Sequence, residues 1–264
     1  MSNNILAKIV ASKADELIER KKQISIDELT SMPLFSTKAY SLQQNLQTAN
    51  TTGIIAEFKR QSPSKGIINA VADVVEVTKA YTEYGAAGVS VLTDGPYFGG
   101  SLADLAKAVV HPIPVLRKEF IIDEFQLIEA KAFGASVILL IAACLSPKEV
   151  QSLASYAKKL GLEVLLEIHD ASEIDHITDE VDFVGINNRS LKSFEVNIEH
   201  SLKLKSMLPK HKLSIAESGI YDVATFNLLK SEGFNGFLMG EYFMKQENPA
   251  LAFEQFVQQI KTIK

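Results

Sequence analysis

One cysteine, no tryptophan and no long uncharged apolar run mark this 264-residue sequence. A single thiol excludes an internal disulfide and every cysteine-rich zinc site. Its setting, Ile141-Ala142-Ala143-Cys144-Leu145, is that of a small core residue. Without an uncharged stretch of about 20 apolar residues, no spanning helix is expected. Met1-Ser2-Asn3-Asn4-Ile5 lacks the basic segment and apolar core of an export signal, so a soluble, cytoplasmic protein without membrane contact is expected. Positive charge is also short. A net charge of -5 provides no general field for nucleic acid, and any anion site must be local. The five histidines, His111, His169, His176, His200 and His211, show no ligand spacing, so no metal is expected. No Gly-x-Gly-x-x-Gly follows a strand candidate, so a dinucleotide fold lacks its phosphate turn. A small-molecule ligand remains.

What is present is a barrel pattern. With 47% hydrophobic residues, the chain can bury a large core as one unit. Beyond about residue 50, β-branched runs alternate with amphipathic stretches, each pair taking roughly 20 to 30 residues, the signature of repeated βα units. Strands are predicted at Ile54–Phe58, Val89–Thr93, Val115–Glu119, Val137–Ile141, Val164–Ile168, Phe183–Asn187, Leu213–Glu217 and Phe237–Gly240. Helices are predicted at Val74–Tyr84, Phe125–Phe133, Lys148–Leu160, Ile198–Leu208, Val223–Lys230 and Ala250–Ile260. Gly85, Gly134, Gly161 and Gly233 close several of them. Eight units close naturally into an α/β fold of the (β/α)8 TIM barrel type. Residues 1–48 precede the first strand and read as helical at Ile5–Lys22 and Ile26–Ser31, with Pro33 ending the second piece. The expected organisation is a single barrel domain over 1–264 with 1–48 as an N-terminal helical extension.

The first strand leads into Glu57-Phe58-Lys59-Arg60-Gln61-Ser62-Pro63-Ser64-Lys65-Gly66. Alternation places Glu57 and Lys59 on one face. Taken alone, this is an ion pair at a strand end. The other strand ends change that reading. Arg117-Lys118-Glu119, Glu167, Asn187-Asn188-Arg189 and Glu217-Ser218-Gly219 all follow apolar strands, at the end where barrel enzymes carry their chemistry. Crowding so many charges costs desolvation unless a ligand compensates. A converging site is therefore favoured over a network of ion pairs that merely closes the barrel. Phosphate in barrels is commonly held by the loops after strands seven and eight. Gly219 and Gly240-Glu241 supply glycines in those loops, with Ser62, Ser64 and Lys65 able to contribute from the first. Either glycine alone is an ordinary turn. His169, just past Glu167, is read as a hydrogen-bonded structural residue.

In order along the chain, Glu57-Phe58-Lys59 through Gly66, Val91-Leu92-Thr93-Asp94 with Phe98 and Gly100-Ser101, Pro114 through Asp123, Leu165-Leu166-Glu167-Ile168-His169, Gly185 through Arg189, and Glu217-Ser218-Gly219-Ile220 resemble the indole-3-glycerol-phosphate synthase family of tryptophan biosynthesis. The resemblance runs over nearly the whole chain. It implies ring closure, decarboxylation and dehydration of a carboxyphenylamino-deoxyribulose phosphate to indole glycerol phosphate, without a cofactor. It further implies Lys118 as the general acid at the ribulose carbonyl, Glu167 in proton transfer during dehydration, and Lys59 on the substrate carboxylate. Glu57 and Asn187 would orient groups around them, and Glu217 and Arg189 would complete the polar shell. Ser62, Ser218, Gly219, Gly240 and Glu241 fall to the phosphate end. Phe98, Phe120, Pro63 and Leu139 form a pocket for the anthranilate ring, core packing being the alternative for each.

Lysines crowded near a dry aromatic pocket are expected to have lowered pKa values. The N-terminal helices are expected, by resemblance, to cover the substrate end. Ser190, Glu119 and Ala216 depart from the family's usual aspartate, aspartate and serine, and Ser190 puts the way Arg189 is held in question. Members can be fused to phosphoribosylanthranilate isomerase, but this length fits a single-function enzyme. A monomer is expected, with weak association with other enzymes of the pathway. Two rival readings stand beside it: a neighbouring phosphosugar isomerase, against which Lys59, Lys118 and Glu167 together argue, and a non-catalytic sensor, for which decayed catalytic positions would be required.

Overall fold

The computed structural model describes residues 5–48, 51–190 and 195–262. Eight parallel strands close a barrel in which each pairs with its neighbours in sequence. They are β1 (Ile54–Phe58), β2 (Gly88–Leu92), β3 (Val115–Lys118), β4 (Val137–Ile141), β5 (Glu163–Ile168), β6 (Phe183–Asn187), β7 (Leu213–Glu217) and β8 (Gly236–Met239). β1 pairs with both β2 and β8, which removes every free edge.

Strand periodicity divides the apolar residues between two cores. Ile55, Leu116, Leu139, Leu165, Phe183, Ile215 and Leu238 fill the barrel interior. Their sequence neighbours, among them Ile54, Val89, Val115, Ile138, Val164 and Val184, pack outward against the helices. This is why the strands read as unbroken apolar runs rather than alternating ones. The outer layer comprises α4 (Val74–Glu83), α6 (Leu102–Ala108), α7 (Glu124–Ala132), α8 (Pro147–Lys159), α9 (Ile198–Lys205), α10 (Val223–Ser231) and α12 (Pro249–Thr262), with short α5 (Gly95–Phe98) and α11 (Glu241–Met244) above the strand ends. Asp73, Ser101, Asp123, Ser146, Asn197 and Asp222 cap the N-termini of α4 and α6 to α10 with side-chain oxygens. This satisfies donors the helices leave open.

Several boundaries differ from expectation. α6 was not predicted, being too short and Ala-rich to show a periodic stripe. After β5 the chain forms a 3-10 helix, Ala171–His176. Gln61–Ser62 and Gly66–Ile67 pair as a small hairpin within the first loop.

The extension divides its work between the two ends of the barrel. α1 (Ile5–Gln23) buries Leu6, Ile9, Lys13 and Leu17, a single stripe at helical spacing. Leu17 joins Leu29 of α2 (Ile26–Thr30) and Phe125, Ile128 and Ala132 of α7 in a satellite core. Buried apolar side chains of this kind contribute about 1.5–3 kcal/mol each. α3 (Leu42–Gln47) instead lies at the opposite end, where Leu42 and Leu46 pack into the interior core. Glu163, at the start of β5, accepts from Ser41 Oγ and the Leu42 N–H. The expectation that the extension covers the substrate end therefore holds for α1; α3 plugs the floor.

Lys13 is 1% exposed and pairs with Asp94 Oδ2 at 3.0 Å and Glu119 Oε1 at 3.2 Å. Arg117, fully buried, donates to Thr93 and the Gln126 carbonyl and pairs with Glu129, which also holds Arg20. Arg117 was read as a residue of the polar mouth. Parity turns it outward into this ionic layer under α1, which fixes the residues on both sides of Lys118.

Candidate active site

The polar residues at the strand ends continue the interior rows by two residues. Glu57 follows Ile55, Lys118 follows Leu116, Glu167 follows Leu165, Asn187 follows Gly185, and Glu217 follows Ile215, each preceding residue lying inside the barrel. The side-chain period of two therefore sends all five groups to one place. They line a cavity of about 1300 Å³, open mouth included, at the carboxyl end of the strands. Every catalytic and binding candidate lines it: Glu57, Lys59, Ser62, Pro63, Phe98, Lys118, Phe120, Leu139, Glu167, Asn187, Arg189, Glu217, Ser218, Gly219, Gly240 and Glu241. Ser64 does so too, whereas Lys65 stands exposed on the hairpin, away from the lining.

Lys118 Nζ lies 3.5 Å from Glu167 Oε2 and 3.9 Å from Glu217 Oε2. Burial works against its charge, but Glu167, Glu217 and Glu57 outweigh it and raise its pKa above the ordinary lysine value. The expected lowering is thus reversed. The cause is that Lys118 faces three carboxylates, while the second ammonium, Lys59 Nζ, is engaged 2.6 Å from Glu57 Oε1.

Glu167 is held well below the carboxylate range: burial would raise it, but the charge of Lys118, then His169 and the Asn187 amide at 3.0 Å, prevail. Glu57 is likewise kept low against burial by Lys59 and Lys118. Glu217 goes the other way, pushed up to about 8 by burial and by the charge of Glu167. Neither of its oxygens has a hydrogen-bond partner among the described residues. The site therefore presents an ammonium beside an ionised carboxylate, with Glu217 holding its proton more tightly than an ordinary carboxyl.

Two glycines make room for the glutamates. A β-carbon on Gly240 would lie 2.8 Å from Glu57 Oε1, and one on Gly185 would strike Glu217. Past Glu217, Ser218 adopts φ 64°, the left-handed region a serine rarely occupies, and Gly219 follows at 71°. Strain of this kind clusters at binding loops. Arg189 donates to Tyr221 Oη at 2.7 Å and pairs with Glu241 at 3.2 Å. Its side chain is thus anchored from the loop after β7 and from the start of α11. Of the other departures, Ala216 packs outward and Glu119 serves the Lys13 layer. Phe98 and Phe120 form one wall, ring centroids 6.0 Å apart.

Sequence reasoning missed Tyr221 and Tyr242, and the lining contributed by Ile5, Leu6 and Ile9. Tyr221 stands four residues beyond Glu217 at a strand end, which was a usable signal. His169, read as a hydrogen-bonded structural residue, lies outside the cavity lining, with Nε2 3.1 Å from Glu167 Oε1. Cys144 is half-buried against the core, its thiol pushed up to about 12 by burial. Among the described residues no group of three His, Cys, Asp or Glu side chains is placed to hold a metal, and no helix is long and apolar enough to cross a membrane.

Among solved structures, the chain is similar to a mutant tryptophan synthase α-subunit of Pyrococcus furiosus, with TM-score 0.59, 14% identity, and coverage of 80% of this chain and 98% of that one. It is also similar to 3-hexulose-6-phosphate synthase of Salmonella typhimurium, with TM-score 0.60, 12% identity and coverage of 80% and 99%. At these identities the likeness shows the barrel fold alone. Sequence relatives say more. The chain is 43% identical over 259 residues to the indole-3-glycerol phosphate synthase of Bacteroides thetaiotaomicron, covering 98% of this chain and 99% of that protein. It is 38% identical over 266 residues to that of Acinetobacter baumannii, covering 100% and 99%. The family model for indole-3-glycerol phosphate synthase matches residues 6–256, and the chain belongs to that family.

Proposed function

We propose that the chain converts 1-(2-carboxyphenylamino)-1-deoxyribulose 5-phosphate to indole-3-glycerol phosphate, releasing CO2 and water. The observation that carries this reading is Lys118, kept protonated between Glu167 and Glu217 on the inner face of the mouth. Closing the ring onto the ribulose carbonyl puts charge on that oxygen, and a positioned ammonium both stabilises it and supplies the proton. Lys59 binds the substrate carboxylate, exchanging part of its pairing with Glu57 for the ligand, until CO2 leaves. In the dehydration half ionised Glu167 takes a proton from the methylene carbon beside the nitrogen, and the hydroxyl formed from the carbonyl oxygen takes a second proton from Lys59, freed once CO2 has left, and departs as water. Asn187 orients Glu167, to which it already donates.

The anthranilate ring lies between Phe98, Phe120 and Pro63 over Leu139. The phosphate sits at the far side, where Ser218, Gly219, Gly240 and Arg189 line the mouth and Ser62 approaches from the hairpin. The working unit in this reading is a monomer. The close fit of α1 and α3 to opposite barrel ends supports one barrel domain with 1–48 as its cover and floor. Action in the cytoplasm, where pathway enzymes can associate weakly, completes the reading. Expression in a bacterial strain lacking this synthase tests it: growth without tryptophan is expected, and failure of well-expressed, folded protein to restore growth would count against the activity.

A further inference from the structure

Glu167 has a second cationic partner on the side away from Lys118. His169 Nε2 is 3.1 Å from Glu167 Oε1, and its Nδ1 is 3.8 Å from Glu173 Oε2. The ring is almost fully buried and lies outside the cavity lining, and neither nitrogen makes a well-aligned hydrogen bond among the described residues, so the two carboxylates hold it at ion-pair distance. Its backbone is fixed at both ends: the His169 N–H donates to Glu173 Oε2, and its carbonyl accepts from His200 Nε2 at 2.8 Å. Glu173 reaches this position because a 3-10 turn, with Asp170 as its N-cap, takes the place of a helix after β5. Burial disfavours a charged imidazole, but the two carboxylates outweigh it and push its pKa up to about 10.

We propose that His169 is a positioning residue for the reaction, an imidazolium shared by Glu167 and Glu173 that fixes one oxygen of Glu167 and leaves the other facing Lys118. The proposal rests on the reading of Glu167 as the proton acceptor. The groups facing Glu167 are Glu57 from β1, Lys118 from β3, Asn187 from β6, Glu217 from β7 and His169 itself. Those facing His169 are Glu167 and Glu173, with Glu217 from β7 and His200 from α9 beside them and the Cys144 thiol near enough to feel Glu167 and Glu173. Removing the imidazolium takes one of two cations from Glu167, so its carboxylate gains a proton at higher pH.

The test compares wild type, His169→Gln and Glu173→Gln. For His169→Gln we expect kcat to fall about tenfold or more with KM little changed. The acid limb of the kcat/KM profile should move up by about one pH unit or more, and the melting temperature should stay close to wild type. Glu173→Gln, which keeps the ring, should move the limb the same way by less, and it remains informative if His169→Gln fails to fold. Carboxylate titration by NMR of labelled glutamate, which needs no turnover, should show Glu167 protonating at higher pH in both variants. An unmoved limb and an unmoved Glu167 titration would overturn the positioning role. Wild-type protein without turnover but with a shifted Glu167 titration would instead strike at the proposed function and leave the pairing intact.

Discussion

Gly185 and Glu217 stand on adjacent strands so close that a β-carbon on the glycine would collide with Glu217 Oε1. The obstructed atom is the end of a side chain, so a methyl group there displaces the carboxyl rather than the strand. Gly185→Ala is expected to keep the fold, losing a few degrees of melting temperature, while kcat/KM falls about 100-fold, the usual scale for a catalytic group moved by about 1 Å. Steady-state kinetics beside thermal melting checks this; unchanged kinetics would mean that the position of Glu217 is immaterial.

Lys118→Ala is expected to lower kcat by about 100- to 10,000-fold while KM changes little, the pattern for a group acting mainly in the transition state. Turnover equal to wild type would refute its role as the acid.

Glu217 gives the stability a pH dependence of predictable sign. Its folded pKa, about 8, is above the ordinary 4.5. The folded state therefore holds a proton that the unfolded state has released, and the group's contribution is fully present below about pH 4.5 and lost as pH rises through about 8. Glu217→Gln cannot lose that proton. The melting temperature of the variant minus that of wild type should therefore climb across this window and level off above it. A difference that stays flat would contradict a neutral Glu217.

Lys13→Met leaves buried Asp94 without its ammonium and buried Glu119 with Arg117 alone, 3.6 Å away. Breaking a buried pair from one side costs about 3–5 kcal/mol, read by urea unfolding. Because Leu6 and Ile9 on the same helix line the mouth, KM should rise as well. A loss below about 1 kcal/mol would show that α1 does not depend on this layer.

The barrel was legible because buried parallel strands are apolar on both faces, and because Gly85, Gly134, Gly161 and Gly233 close several of the helices between them. The site was legible because Glu57, Lys118, Glu167, Asn187 and Glu217 end their strands at inward parity. What was not legible depended on distances between chain segments. Arg117 looked like part of the mouth because parity within β3 cannot be fixed from a run of three charged residues. The lysine pKa was misjudged because proton affinity depends on the count of facing carboxylates, which come from three other strands. Lys13, an ordinary charge in a helical pattern, gave no sign that it is buried until Asp94 and Glu119 were placed beside it. The floor role of α3 was hidden because its short helix shows only that Leu42 and Leu46 are apolar.

The direct test is to incubate the purified protein, free of added metal or cofactor, with 1-(2-carboxyphenylamino)-1-deoxyribulose 5-phosphate and follow fluorescence. The chain contains no tryptophan, so indole emission from the product rises against a background without protein indole. Accumulation of indole-3-glycerol phosphate with an equal amount of CO2 is the predicted result. Folded protein that leaves the substrate unchanged would contradict the central claim.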